Sequence, residues 1–105
     1  MIAKVRTLEV PPEEVDAGVE YLRTQMLPAA REVEGFHGMI GLVDRERGRA
    51  VTVTLWASYD ALCASEEAGA RLRAGGGAPP HHAVVERYEV VVNEVPDLPD
   101  RLTTP

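Results

Sequence analysis

One cysteine, one tryptophan and one phenylalanine are all that this 105-residue chain holds of three informative residue types. The lone Cys63 excludes a disulfide within the chain, so stability must come from packing. Positive charge is also short. Eleven Lys and Arg, nearly all Arg, face seventeen Asp and Glu, for a net charge of −6. That balance excludes the electrostatic footprint of a nucleic-acid binder or an anionic-membrane binder. No apolar run approaches the roughly 20 residues of a membrane span. The opening MIAKVRTLEV alternates like a strand and lacks the charged-then-apolar order of a signal peptide, so a cytoplasmic protein is expected. The remaining composition, 45% hydrophobic and 27% charged, fits one globular domain with one modest core.

The pattern along the chain is a succession of strands and helices. Residues 2–10 alternate and read as a strand, ended by Pro11 and Pro12. Glu13, Glu14 and Asp16 then place negative charge at a helix start. Val15, Val19, Leu22, Met26, Ala30 and Val33 step by three or four and form one apolar stripe. Pro28 removes a backbone donor within that stripe, which predicts a kink near Leu27 and a short second piece reaching about Glu34. Gly35 is the natural cap. A second strand over 36–43 contains Gly38 and Gly41, residues that belong in a strand where a bulge or a close approach is wanted. The segment DRERG, 44–48, supplies a hairpin connection to a third strand over 50–57. There Val51, Val53 and Leu55 share one face, and Thr52, Thr54 and Trp56 the other. Ser58 suits a helix N-cap for a second helix to Arg73, with a stripe of smaller residues at Leu62, Ser65, Gly69 and Leu72. Gly75, Gly76 and Gly77 end it, Pro79 and Pro80 stiffen the loop, and 83–95 reads as a last strand.

This β-α-β-β-α-β order implies an α+β, ferredoxin-like fold: an antiparallel four-stranded sheet with both helices on one face. One domain is expected over residues 1–95. The tail, 96–105, is expected to be disordered or laid on a partner. Because the helices cover one face only, the other is expected to carry Thr52, Thr54 and Trp56 and to meet a second copy, giving a homodimer with a cavity between two sheets.

The runs MLPAAREVEGFHG and VTVTLWASYDAL, joined by the hairpin, resemble the antibiotic-biosynthesis-monooxygenase-like domains of the dimeric α/β-barrel superfamily. The resemblance extends from Ile2 to about Val92. It implies a cofactor-independent monooxygenase, needing neither metal nor flavin, that acts on a small aromatic or polyketide-like substrate. The alternatives are a non-catalytic ligand-binding module and a structural module of the same fold. In the branch that oxidises polyketide aromatics to quinones, the cavity is lined by Trp, Asn, Tyr and Arg. Trp56 matches the Trp, Thr52 stands at the Asn position, Leu62 at the Tyr position, and Arg73, or else Arg71, near the Arg. The haem-degrading branch requires an Asn on the first strand, where Val5 falls, and a His on the second helix, which has none.

Trp56 is therefore the leading candidate, to stack on a flat substrate or else simply to fill the space. Thr52 and Thr54 are candidates to orient a substrate oxygen. Arg6 and Arg73 are candidates to stabilise an oxyanion, with a rim position as the other reading for Arg73. Tyr88 is a candidate to bind substrate or to pack with its hydroxyl bonded at an edge. His37, taken to point away from Phe36 and Ile40, is a candidate base. Cys63 reads as a small core residue rather than a nucleophile. No metal site is expected, since His81 and His82 lack a ligand spacing that closes on one face and read as loop histidines.

Overall fold

The computed structural model describes residues 1–75 and 83–96, with the Arg73 side chain outside that description. The expected loop at Gly76, Gly77, Pro79 and Pro80, the pair His81 and His82, and most of the tail lie outside the described residues. Four strands, β1 (Ile2–Glu9), β2 (Phe36–Asp44), β3 (Arg49–Trp56) and β4 (Ala83–Glu89), form one sheet in the order β2-β3-β1-β4. Every pairing is antiparallel. This is the ferredoxin-like arrangement that the element order implies. No helix among the described residues is long and apolar enough to cross a membrane.

Between β1 and β2 the chain forms a 3-10 turn (Pro12–Glu14), then α1 (Val15–Tyr21), a π-helical turn (Leu22–Met26) and α2 (Leu27–Arg31). The disturbance expected at Leu27 is present, but it takes the form of a wider turn and the helical path continues. Pro28 cannot donate to the Thr24 carbonyl, and the Leu27 N–H reaches back five residues to the Leu22 carbonyl. The Thr24 hydroxyl in turn donates to the Glu20 carbonyl at 2.7 Å. After α2, tight bonds from Glu32 and Val33 to the carbonyls of Ala29 and Ala30 close the end of the helix.

The second helix, α3 (Tyr59–Ala74), starts as its sequence indicates. Ser58 Oγ accepts the Ala61 N–H at 3.2 Å, satisfying one of the donors a helix start leaves unpaired. β4 is shorter than the apolar run that suggested it. The Val90 N–H still reaches the Met1 carbonyl at 3.0 Å, but β1 begins there, so residues 91–95 have no strand to pair with. Val91 and Val92 consequently stand exposed.

Register assigns the two sheet faces, and here the structure corrects the sequence reading. Thr52, Thr54 and Trp56 lie beneath the helices, on the opposite side from the face expected to meet a second copy. Trp56 is buried with Ala61 and Leu62 and is packed by Ile2, Ala30, Val33 and Phe36. Along the same face Leu22 approaches Gly41, and Met26 approaches Arg6. Directly paired residues share a face, so the face without helices carries Val5, Ile40, Leu42, Val51, Val53 and Val84. A second correction concerns β2. Phe36 pairs with Trp56 and Gly38 with Leu55, which leaves His37 as the extra residue of a bulge. Phe36 and Ile40 therefore fall on opposite faces, and His37 is exposed.

Gly35 holds the corner that brings the helical layer onto the sheet. Its φ is +94°, its carbonyl accepts the Ala57 N–H at 2.8 Å, and a Cβ there would meet the Ala61 Cβ at 2.7 Å. Replacing it by Ala therefore adds both backbone strain and a clash, costing about 2 kcal/mol. By contrast, Gly18 in α1 has open space around it, and Gly18→Ala should raise stability by about 0.5–1 kcal/mol through helix propensity. Urea unfolding of the two variants checks the pair. A neutral Gly35→Ala would contradict the corner geometry.

Candidate functional site

The alternation of β3 places Thr54 and Trp56 two residues apart on one face, and the structure joins them. The indole Nε1–H donates to Thr54 Oγ1 at 2.9 Å, a buried bond that fixes the plane of the ring. Phe36 meets the indole edge-on, with centroids 5.4 Å apart. Trp56 is only 2% exposed and Leu62 fully buried. One row further along β3 the same face carries Thr52, paired with Arg6 on β1 and Gly41 on β2. Arg6 is half-buried, and its Nη1 lies 3.9 Å from the thioether of Met26, which belongs to the π-helical turn. Leu22 roofs the row, its Cδ2 lying 2.9 Å from where a Cβ on Gly41 would be. Glycine there lets the helix come down onto the sheet.

Arg6, Thr52, Thr54, Trp56 and Leu62 are thus gathered in one layer between sheet and helices. The remaining candidates lie elsewhere. Tyr88 pairs with Ala3 on the opposite face, is half exposed, and donates its hydroxyl to Glu86 at 2.9 Å. That bond to a carboxylate holds the phenol above its ordinary pKa. His37 is at the bulge, and the Arg73 side chain is outside the described residues. Cys63, expected in the core, is exposed on α3. Among the described residues no group of three His, Cys, Asp or Glu could hold a metal ion.

Two features carry no mark in the sequence. One is an ion cluster that ties α3 to the sheet: Glu66 accepts from Arg87 at 2.6 Å and lies 3.6 Å from Lys4. Its members are 62 and 21 residues apart in the chain, beyond the reach of local pattern. The other is Tyr21, on the flank of α1 beside the apolar stripe. Its Oη is sealed from solvent with no hydrogen-bond partner.

No family model matches the chain. It is 37% identical over 71 residues to the uncharacterised Mycobacterium tuberculosis protein Rv2558. The match takes in 68% of this chain and 30% of that protein, so the chain spans under a third of the length of this curated relative. Among solved structures, a variant of MhuD with two manganese protoporphyrin IX molecules per active site superposes with a TM-score of 0.73 and 25% identity. The superposition covers 90% of this chain and 99% of that one. An antibiotic biosynthesis monooxygenase gives a TM-score of 0.66 at 19% identity, over 88% of this chain and 100% of that one. The chain has the fold of the antibiotic-biosynthesis-monooxygenase-like domains. SnoaB of Streptomyces nogalater, a cofactor-independent oxygenase, shares the fold of this domain with a TM-score of 0.61, at 15% identity over 91% of this chain and 97% of that one.

The Glu66 cluster gives this domain a pH signature. The hydrogen bond from Arg87, helped by the charge of Lys4 and opposed by burial, holds the Glu66 carboxyl below its ordinary 4.5. The stability it contributes is complete above that ordinary value and is lost as pH falls through the lowered one. Glu66→Gln should therefore cost about 0.5–1 kcal/mol at pH 7, the range of a partly exposed pair. The deficit should shrink as pH falls below 4.5 and Glu66 takes up its proton. Urea midpoints from pH 7 downward check this, and a deficit that stays constant would assign the loss to packing.

Proposed function

We propose that this domain works as a monooxygenase without metal or flavin on a flat hydroxylated aromatic, bound between the helices and the sheet beside Arg6 and Thr52. The observation that supports it most is the placement of Arg6. A half-buried guanidinium stands on the floor of the layer, with a thioether as its 3.9 Å neighbour. Such a group lowers the cost of an enolate or phenolate oxygen. Thr54 spends an oxygen lone pair on Trp56 and keeps a hydroxyl proton to donate. The substrate would be an aromatic ketone with an activated CH2. Loss of a proton to water gives the enolate, whose oxygen Arg6 holds. The carbon then reduces O2, taking up one oxygen atom as a carbonyl while the other leaves as water, and its four electrons balance the reaction.

A second copy of the chain is part of this proposal. The helix-free sheet face offers Val5, Ile40, Leu42, Val51, Val53 and Val84, a largely aliphatic surface interrupted by Thr7 and bordered along β4 by Glu86 and Tyr88, which two copies can cover symmetrically. The space between the sheets is then a packed interface, and the ligand belongs on the helix side. A cytoplasmic setting belongs to the same proposal.

Haem, which MhuD holds, does not fit the residues here. α3 has no His, and its remaining iron-ligating types, Tyr59 and Cys63, are exposed.

One observation favours a binding module instead: the indole N–H already has its partner, and Trp56 and Leu62 are closed to solvent. Oxygen uptake with a dihydroxyanthrone separates the two. One O2 consumed per quinone formed, with Arg6→Gln lowering kcat/KM by about 100-fold, is the expected result. Binding of the aromatic with no uptake above the spontaneous rate would establish the module.

A further inference from the structure

The hydroxyl of Tyr21 is the one buried side-chain polar atom without a partner among the described residues. Leaving such a group unpaired costs free energy that a phenylalanine would avoid while packing the same ring. The residue stands immediately before the π-helical turn, whose side chains Leu22 and Met26 reach Gly41 and Arg6 on the sheet. Turns of this kind are frequent at ligand sites. Tyr59 and Tyr88, by comparison, are exposed, and Tyr88 has a carboxylate partner. The sealed hydroxyl belongs to the residue that opens this turn, and Met26, which closes it, lies against Arg6.

We infer that Tyr21 is a ligand-positioning residue whose hydroxyl donates to an oxygen of the bound aromatic, a quinone carbonyl or a phenolate. This rests on the aromatic-ligand reading above and adds to it a second anchor, carried by α1. A flat ligand held at two points is fixed in its plane as well as in position.

Titration of 1,8-dihydroxyanthraquinone into the wild-type protein and into Tyr21→Phe, followed by its visible absorption, tests the inference. The protein carries ring-labelled ¹³C tyrosine so that the Cζ signal of Tyr21 is read in the same experiment. The wild type should bind, its Tyr21 signal should shift on binding, and Tyr21→Phe should bind about tenfold more weakly. Tyr21→Phe should be at least as stable as the wild type in the absence of ligand, because the hydroxyl has nothing to lose there. Equal affinity of the two proteins overturns the role of Tyr21 while leaving the aromatic reading intact. A loss of stability in ligand-free Tyr21→Phe also overturns it, since the hydroxyl would then have a partner within the protein or a bound water. Failure of the wild type to bind the quinone overturns both.

Discussion

An indole N–H cannot be buried cheaply without an acceptor, and in this chain the acceptor is a threonine hydroxyl two residues earlier on the same strand. That bond holds Trp56 flat beneath the helices, where Ala30, Val33, Ala61 and Leu62 close over it. The period of a strand then leaves no freedom. With Thr54 and Trp56 committed to the helix side, Val51, Val53 and Leu55 must take the other, and their partners on β1 and β2 follow by register. The two faces of the sheet are divided by that commitment. One carries Lys4, Arg6, Thr52, Thr54 and Trp56; the other carries Val5, Ile40, Leu42, Val51, Val53 and Val84, with Thr7, Glu86 and Tyr88 beside them.

Element order was legible because each element bears its own signal. The stripe from Val15 to Val33, the cap at Ser58, the alternation of β3 and the glycines of β2 all depend on neighbours within a few residues. The assignment of faces was not legible. Thr52, Thr54 and Trp56 look less apolar than Val51, Val53 and Leu55, and a rule that sends the most apolar face under the helices selects the wrong one. Thr54 is polar in composition and apolar in effect, because its hydroxyl serves the indole. The bulge at His37 shifts the phase of β2 by one residue, so side chains read from simple alternation were assigned to the wrong face. Lys4, Glu66 and Arg87 meet only through tertiary structure.

The candidate site was half legible. Trp56, Thr52, Thr54, Leu62 and Arg6 do share one layer, although not the layer between two sheets. Its π-helical wall follows from Pro28, a residue whose sequence signal is plain but whose consequence, a wider turn with a continuous helix path, is decided by the bond from Leu27 to Leu22. Similarity to MhuD, a quarter of residues over nearly the whole length, and to SnoaB at lower identity places the fold in a group with more than one chemistry.

Whether a second copy covers the helix-free face of the sheet is read most directly from the mass of the protein in solution. Light scattering across a size-exclusion peak, on the wild type and on Val53→Glu, reads it. Twice the chain mass of 11.4 kDa for the wild type, and the single chain mass for the folded variant, is the result the account predicts. A wild type that elutes as a folded monomer would contradict it, because Val5, Ile40, Val51 and Val53 would then face water.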